Sequence, residues 1–298
     1  MRFVGIDIFR QFLAIFVIIQ HCWSTSRYSE NMYSDYLLLA DVVNGAVWGF
    51  FFISGFFTKE RDRIAPYIAD KFNRLIIPFL VFSIIYGVLN IFIWGKGVSD
   101  IFMSIASLQG TSMQLYFLPY LFIVDIVFVY LFSCFKKYKI QLTWFFFISL
   151  ILSALAFSTE SSTGSDVKLI PYYALAYITG MLYSQYRNLL SMVLLICSSF
   201  VVGLAFDERF LDISFMLAMF IILLTIFKNS NLNIFGAGGV YLLHTPYTNF
   251  IISIILFKIG VLGWLNLGLT VFLTYIFCIF MTYIFMKSAP KYRYLLLE

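Results

Sequence analysis

Long runs of apolar residues recur along almost the whole chain, and they restrict its fold more than any other feature of the sequence. A membrane-spanning helix needs about 20 mostly apolar residues, because the hydrocarbon core of a bilayer is about 30 Å thick. Ten segments meet this requirement: residues 4–23, 41–58, 72–94, 115–135, 140–158, 169–186, 189–206, 209–227, 237–257 and 262–286. The 298 residues are 62% hydrophobic and 12% charged, whereas soluble domains are about 25% charged. The sequence predicts an all-α, polytopic membrane helix bundle with about ten transmembrane helices, forming one membrane-embedded domain over residues 1–298.

The positions of lysine and arginine predict the orientation of the bundle. Cytoplasmic loops carry an excess of these residues. With the N-terminus inside, fifteen of the 20 Lys and Arg residues are cytoplasmic. The other five are Arg27, Lys96, Lys168, Arg209 and Lys258. We therefore expect cytoplasmic N- and C-termini in a multi-pass protein of the plasma (inner) membrane. The same loops account for the net charge of +5, so we expect no nucleic-acid partner.

The first apolar run does not resemble a cleavable secretion signal. Polar residues interrupt it, and Trp23, Ser24 and Thr25 do not form a small-residue cleavage site. The four cysteines, Cys22, Cys134, Cys197 and Cys278, are scattered without metal-ligand spacing. We expect them to fill apolar packing positions, and we expect no metal site.

Three ionisable residues occur on the first apolar run, in "GIDIFRQFLAIFVIIQHCW". At about 100° per residue, Asp7, Arg10 and His21 fall within about 60° of one another on one helix face. Charged groups in a membrane helix are costly, by about 2.5–3.5 kcal/mol at its centre, so this stripe predicts an inward, functional face. Alternatively, Asp7 and Arg10 anchor the helix at the headgroups, and His21 is a hydrogen-bonded core residue.

Other polar residues also lie within predicted spans. His244 precedes Thr245 and Pro246, where proline removes a backbone hydrogen bond and opens the helix. It could form a second polar wall of a cavity, or it could be bonded to a neighbouring helix. Asp125 could be protonated and hydrogen-bonded, or it could face the cavity. Ser54 and Gly55 favour close helix packing.

Two connections differ from the others. The segment "TKERDRIAPYIADKFNR", residues 58–74, predicts a short amphipathic helix at the cytoplasmic surface that leads into the third span. The outer loop over residues 95–114 is polar and rich in glycine, and we expect it to line an entrance.

Several motifs resemble those of the membrane acyltransferase 3 family. Arg10 and His21 match its Arg-x10-His signature. The other matches are "FFISGFF" (51–57), "KFNRLIIPFL" (71–80), "LYFLPYLF" (115–122) and "VYLLHTP" (240–246), in the order of the family and over nearly the whole chain. The chain departs from the family pattern around Arg10, where Ile8, Phe9 and Gln11 replace Gly-Leu and Gly, and at Tyr116, which replaces Trp.

The resemblance implies an O-acyltransferase that moves an acyl group, commonly acetyl, from coenzyme A to a hydroxyl of a cell-surface or lipid-linked glycan. It implies the stand-alone form, without an appended hydrolase-like domain, and no permanently bound cofactor. His21 would be the general base, because neutral imidazole can accept the hydroxyl proton near pH 7. Asp7 and Arg10 would brace the helix and direct positive charge to the coenzyme or the oxyanion.

The resemblance also suggests binding residues. The phosphates of acyl-CoA would meet Arg74, Lys71 and Arg63, although positive-inside topology and anionic lipid explain much of this cluster. The acceptor would meet three further side chains: His244, Tyr116 and Asp125.

Two other classes of protein remain open. A secondary transporter of a small polar or glycan-derived solute also has intramembrane charges and broken helices, but no inverted repeat is visible. A purely structural scaffold gives no reason for the polar stripe on the first helix.

Overall fold

The computed structural model describes residues 3–22, 31–59, 63–138, 142–158, 169–186, 189–205, 209–232 and 234–297. The predictions made on residues 23–25, Arg27, Lys168 and the side chain of Cys134 lie outside the described residues. The helices are α1 (Val4–Gln20), α2 (Asn31–Val43), α3 (Ala46–Phe57), α4 (Ile64–Lys71), α5 (Ile77–Trp94), α6 (Val98–Ala106), α7 (Phe117–Tyr138), α8 (Leu142–Ser158), α9 (Leu169–Tyr186), α10 (Leu189–Ala205), α11 (Arg209–Ile226), α12 (Ala237–Leu243), α13 (Asn249–Lys258) and α14 (Gly263–Ser288). No strand occurs in these described ranges, which confirms the all-α prediction.

Five helical segments of the described chain are long and apolar enough to cross a membrane. They are Met32–Phe57, Ile64–Trp94, Arg209–Ile226, Ala237–Lys258 and Gly263–Ser288. They indicate a multi-pass membrane protein. The other five predicted spans coincide with the helices α1, α7, α8, α9 and α10. The count of ten spans and the location of the termini stay predictions.

The residues group into two compact units, and each is described by itself. The first contains Met1–Phe9, Gly45–Ala69 and Tyr120–Ser230; the second contains Arg10–Asn44, Asp70–Pro119 and Asn231–Glu298. The division does not test the expectation of a single domain.

Aromatic rings around Phe220 form the core of the first unit. The ring centroid of Phe220 lies 5.3 Å from that of Phe9, 4.8 Å from Phe52, 5.9 Å from Phe56 and 5.7 Å from Tyr183. All four contacts are edge-on, the arrangement that aromatic quadrupoles favour. This cluster joins α1, α3, α9 and α11.

Two glycines bring α3 and α9 into close backbone contact in the first unit. A β-carbon on Gly55 would lie 1.9 Å from the carbonyl oxygen of Tyr177, and one on Gly180 would lie 2.0 Å from that of Phe52. Only glycine fits at either position, as at small-residue contacts of membrane helices generally. The interpretation of Gly55 as a packing residue is therefore confirmed.

The core of the second unit joins the later part of α1 with α2, α12 and α14. Its buried residues are Ala14, Ile18, Cys22, Met32, Tyr36, Ala237, Val240, Leu267 and Cys278. Cys22 and Cys278 thus fill apolar positions as expected, whereas Cys197 of the first unit is exposed.

The buried face of α14 consists mainly of small polar side chains. Asn266, Thr270, Thr274, Cys278 and Thr282 recur every four residues and are fully buried. Asn266 exchanges hydrogen bonds with Ser253 of α13, and Thr282 packs on Gly239 of α12, where a β-carbon would lie 1.9 Å from its hydroxyl oxygen. Because 3.6 residues make a turn, this stripe winds around α14 and meets first α13 and then α12.

The segment Ala237–Lys258 is broken at the predicted proline. A π-helical turn, His244–Thr248, separates α12 from α13. Thr245 within it is extended, with φ −133° and ψ 157°. Such angles follow from the clash between a proline ring and a helical preceding residue. The predicted opening of the helix at Pro246 is confirmed.

The segment before the third predicted span forms a helix, as predicted, and its cytoplasmic location stays a prediction. α4 continues through a π-helical turn, Phe72–Ile76, into α5, which has Pro78 in its first turn. The loop over residues 95–114 contains α6, a helix that was not expected. A β-carbon on Gly87 of α5 would lie 2.7 Å from Ile101 of α6, so these two helices pack closely.

Candidate active site

The C-terminal end of α1 is held in the second unit by side chains from other helices. The last carbonyl groups of a helix have no partner within the helix. The hydroxyl of Tyr36 lies 3.0 Å from the carbonyl oxygen of Ile19 and 2.9 Å from that of Gln20. The side-chain amide of Asn249 donates to the carbonyl oxygen of His21 at 2.6 Å. α2 and α13 therefore both fix the backbone that carries His21.

His21 lies just after α1, not within it. α1 ends at Gln20, and the amide of His21 donates to the carbonyl of Ile18 at 3.1 Å, which tightens the last turn. The predicted span extended to residue 23. Because His21 lies beyond the helix, its position along the helical turn does not by itself set the direction of the imidazole. Contacts of the surrounding backbone with other helices contribute as well. The side chain is half-buried.

His244 is fully buried at the start of the broken turn. Its Nδ1 lies 3.1 Å from the carbonyl oxygen of Val240 and 2.9 Å from that of Tyr241. Two carbonyl oxygens require a donor, so Nδ1 carries a hydrogen, and in the neutral ring Nε2 therefore carries the lone pair. Nε2 has no hydrogen-bond partner among the described residues. The site therefore contains a buried proton acceptor that the fold does not satisfy.

The two histidines of the chain lie side by side in the second unit. Their ring centroids are 5.3 Å apart and their planes are inclined by 27°. The residues are brought together by the end of α1 and the broken turn after α12. His21 was predicted to act in catalysis and His244 to bind the acceptor. Within the described part of the second unit, they are the one pair of such residues whose rings are in contact.

Gln114 ties the segment before α7 to the broken turn. The side-chain Nε2 of Gln114 donates to the carbonyl oxygen of Thr245 at 2.7 Å. The backbone carbonyl oxygen of Gln114 accepts from the hydroxyl of Tyr241 at 2.5 Å. Tyr116 lies two residues further along this segment and is half-buried. The next residue, Phe117, packs on Tyr241 with centroids 5.0 Å apart. The motif around Tyr116 thus lies against α12, the helix that ends just before His244.

Asp125 occupies a different environment in the first unit. It is fully buried on α7, and its carboxylate accepts from two phenols: Oδ2 from Tyr67 at 2.6 Å, and Oδ1 from Tyr177. The hydroxyl of Tyr177 is also within 2.5 Å of that of Thr58. Asp125 is thus hydrogen-bonded, which is one part of the first alternative, and its role in acceptor binding stays a prediction.

The other predicted residues are spread over the two units. Asp7 is half-buried on α1 in the first unit, and Arg10 is half-buried one turn later in the second. Arg63 is exposed in the first unit. In the second unit Lys71 is half-buried, and Arg74 follows it in the π-helical turn.

Arg74 is exposed and takes part in an ion pair. Its Nε donates to Oδ1 of Asp70 at 3.0 Å, with 59% and 53% of the two side chains exposed. An exposed pair of this kind stabilises a fold by less than about 1 kcal/mol. The guanidinium nitrogens of Arg74 are therefore accessible to a phosphate at little cost to stability. Nowhere in the described ranges do three or more His, Cys, Asp or Glu side chains form a group that could hold a metal ion.

The helices and the histidine pair define a class: a multi-pass membrane protein with a buried imidazole site. A family model described as an acyltransferase domain matches residues 3–285 of the chain. The chain therefore belongs to the acyltransferase 3 family, and this membership indicates a membrane acyltransferase. No curated protein and no solved structure matches the chain significantly.

Sequence reasoning missed two residues that position the site, Asn249 and Gln114. Both are polar side chains that become almost fully buried, at 4% and 1% exposure. The rule that singled out Asp125, a polar group inside an apolar run, would have singled out Asn249 as well. Gln114 gave no such signal because it lies at the end of a polar loop.

Proposed function

We propose that the chain is an integral-membrane O-acyltransferase of the plasma membrane. It moves an acyl group, with acetyl as the preferred group, from cytoplasmic acyl-CoA to a hydroxyl of a cell-surface or lipid-linked glycan. The stacked imidazoles of His21 and His244 carry this proposal, together with membership of the family.

Acyl transfer needs a group that removes the proton of the acceptor hydroxyl. In the proposed reaction, His21 accepts this proton, and the acceptor oxygen forms a bond to the thioester carbonyl carbon. The carbon–sulfur bond then breaks, and coenzyme A leaves as a thiolate that takes up the proton. General base catalysis of this kind contributes about 10²–10⁴-fold. His244, with Nε2 unprotonated, orients the hydroxyl by accepting from it or from a neighbouring hydroxyl of the acceptor.

The positive groups on the cytoplasmic side serve the donor in this proposal. Arg74 and Lys71 of the second unit contact the phosphates of acyl-CoA, whereas the predicted contact with Arg63, in the first unit, rests on the sequence alone. A guanidinium group binds phosphate through two parallel hydrogen bonds, which favours Arg74 in this role. Arg10 directs positive charge toward the coenzyme, because it lies about three helical turns before His21, and Asp7 braces α1.

The decisive experiment follows the labelled acyl group. Membranes that contain the wild-type protein are incubated with acetyl-CoA labelled in the acetyl group, and the glycans are analysed by mass spectrometry. We expect glycans that are heavier by one acetyl group, and we expect the His21→Ala variant to insert normally but to transfer nothing.

Two results would contradict the proposal. Undiminished transfer by His21→Ala would exclude His21 as the base. Acetyl-CoA that stays whole while a glycan-derived solute crosses the membrane would instead indicate the transporter.

A further inference from the structure

The second unit contains a polar cavity, whose lining residues are distant in sequence from both histidines. Its volume is about 170 Å³. It lies among α5, α6 and the loop that follows, and is lined by Asn90, Lys96, Asp100, Ile101, Ser104, Gly110, Thr111, Ser112 and Met113. The loop over residues 95–114 was expected to line an entrance, but neither the cavity nor its lining could be read from the sequence.

The lining of this cavity offers both donors and acceptors. Lys96 has an ammonium group that forms no ion pair with the described residues, and Asp100 has a carboxylate of which one oxygen accepts from the amide of Gly97 at 3.2 Å. Ser104 adds a hydroxyl oxygen as an acceptor, since its hydrogen is donated to the carbonyl oxygen of Asp100 at 2.8 Å. A group that carries several hydroxyls can donate to the carboxylate and accept from the ammonium at once. The cavity is therefore suited to a polyhydroxylated, sugar-like ligand.

The first connection from the cavity to the broken turn runs through Asn90. Its Nδ2 donates to the carbonyl oxygen of Thr111 at 2.8 Å, which holds the wall of the cavity. Its Oδ1 accepts from the hydroxyl of Tyr247 at 2.7 Å. Tyr247 lies in the same turn as His244.

A second connection runs through the next part of the wall. The hydroxyl of Ser112 donates to Oε1 of Gln114, and Nε2 of Gln114 donates to the carbonyl oxygen of Thr245. Two independent chains of hydrogen bonds therefore join the lining of the cavity to the turn that begins with His244. One chain ends on the side chain of Tyr247 and the other on the backbone carbonyl of Thr245.

From these contacts we infer that the cavity is a subsite for the sugar part of the acceptor, with Lys96, Asp100 and Ser104 as its specificity-determining residues. The inference rests on the proposed function, because it assigns an acceptor to an acyl transfer. It adds a binding site outside the histidine pair, and Asn90 and Gln114 connect that site to the turn that begins with His244.

Filling the cavity tests the inference. Ser104→Phe places a ring in the cavity, and Met103→Phe places the same ring on the adjacent residue of α6, which does not line it. Acetyl transfer from labelled acetyl-CoA is measured with dilutions of a glycan extract as the acceptor. We expect Ser104→Phe to raise the apparent KM for the extract at least about tenfold, equivalent to about 1.4 kcal/mol, with the KM for acetyl-CoA unchanged.

The charge on the wall is tested in the same assay. Lys96→Gln should also raise the apparent KM for the extract, whereas Lys258→Gln, which removes an exposed lysine that does not line the cavity, should not. An unchanged acceptor KM in Ser104→Phe would overturn the inference. An equal rise in the KM for acetyl-CoA would also overturn it, because the cavity would then serve the donor.

A binding assay separates this inference from the proposed function. Ser104→Cys is prepared with Cys134 and Cys197 changed to serine, and its labelling by a membrane-impermeant maleimide is followed with glucose, galactose or N-acetylglucosamine present. We expect at least one of these sugars to slow the labelling. Equal labelling with and without each sugar would exclude a sugar subsite even if acyl transfer were established. Slower labelling would support the subsite even if the wild type transferred no acyl group.

Discussion

The side-chain amide of Asn249 donates to the backbone carbonyl of His21 at 2.6 Å, across 228 residues of sequence. This hydrogen bond fixes the turn that follows α1 against the first residue of α13. A buried donor or acceptor left without its partner costs about 1–3 kcal/mol. The position of the proposed base therefore depends on a residue that has no place in the chemistry itself.

Asn249→Leu should weaken both stability and transfer. The variant leaves the carbonyl of His21 without this donor, so we expect a lower Tm in detergent and a reduced kcat. The KM for acetyl-CoA should not change. Asn231→Leu, at an exposed asparagine of the same unit, serves as the control. A wild-type kcat in Asn249→Leu would show that the turn keeps its position without this bond.

Two substitutions of His244 separate its structural and chemical roles. Asn can donate to the carbonyls of Val240 and Tyr241 as Nδ1 does, but it offers no acceptor at the position of Nε2. We therefore expect His244→Asn to keep the wild-type Tm and lose transfer, whereas His244→Ala loses both. If His244→Asn retained full transfer, the free Nε2 would have no part in the reaction.

The contact between α3 and α9 predicts a strong effect of one methyl group. Gly55→Ala forces the two backbones apart, and overpacking of this kind costs about 1–3 kcal/mol. Gly268→Ala is the matched control, because a β-carbon there has nothing within 4 Å. We expect Gly55→Ala to lower the Tm, and Gly268→Ala to leave it unchanged or raise it slightly, since alanine favours a helix. Equal Tm values for the two variants would contradict the described packing.

The carboxylate of Asp125 should be coupled energetically to Tyr67. A double-mutant cycle with Asp125→Asn and Tyr67→Phe should give a coupling of about 0.5–2 kcal/mol, the range for polar contacts between membrane helices. Tyr130→Phe, on the exposed side of α7, replaces Tyr67→Phe in the control cycle and should give no coupling. Additive effects of Asp125→Asn and Tyr67→Phe would argue against the hydrogen bond.

Arg74 can be tested as a phosphate ligand by its effect on the donor alone. Loss of a charge-assisted hydrogen bond costs about 1.5–3 kcal/mol, so Arg74→Ala should raise the KM for acetyl-CoA about 10–100-fold. With S-acetylpantetheine as the donor, which lacks the nucleotide phosphates, Arg74→Ala should change the KM less. Arg293→Ala, at another exposed arginine, should have no effect. An unchanged KM for acetyl-CoA in Arg74→Ala would contradict phosphate binding and would indicate that Arg74 serves only in the ion pair with Asp70.

The sequence was sufficient to predict the helical architecture because apolar length alone identifies a membrane helix. It also predicted the break at Pro246, since the effect of proline on the preceding residue is local. It could not predict that His21 and His244 stack, because their contact depends on how α1 and α13 pack. Asn249 and Gln114 bond to backbone carbonyls that are free only where a helix ends or opens, and no sequence pattern reports such long-range partners.

The polar stripe of α14 reverses the usual relation between burial and hydropathy. Its inward positions carry hydroxyl and amide groups, while Phe272, Ile276 and Phe280 face outward with 59%, 48% and 56% of their surfaces exposed. In a substitution scan along this helix, exchanges among apolar residues on the outside should therefore be tolerated, whereas larger side chains at Thr270 or Thr282 should destabilise the protein. Redesign of the protein for solubility in water would have to replace the apolar residues on the outer surface of α14 with polar ones and leave its hydroxyl-bearing side unchanged.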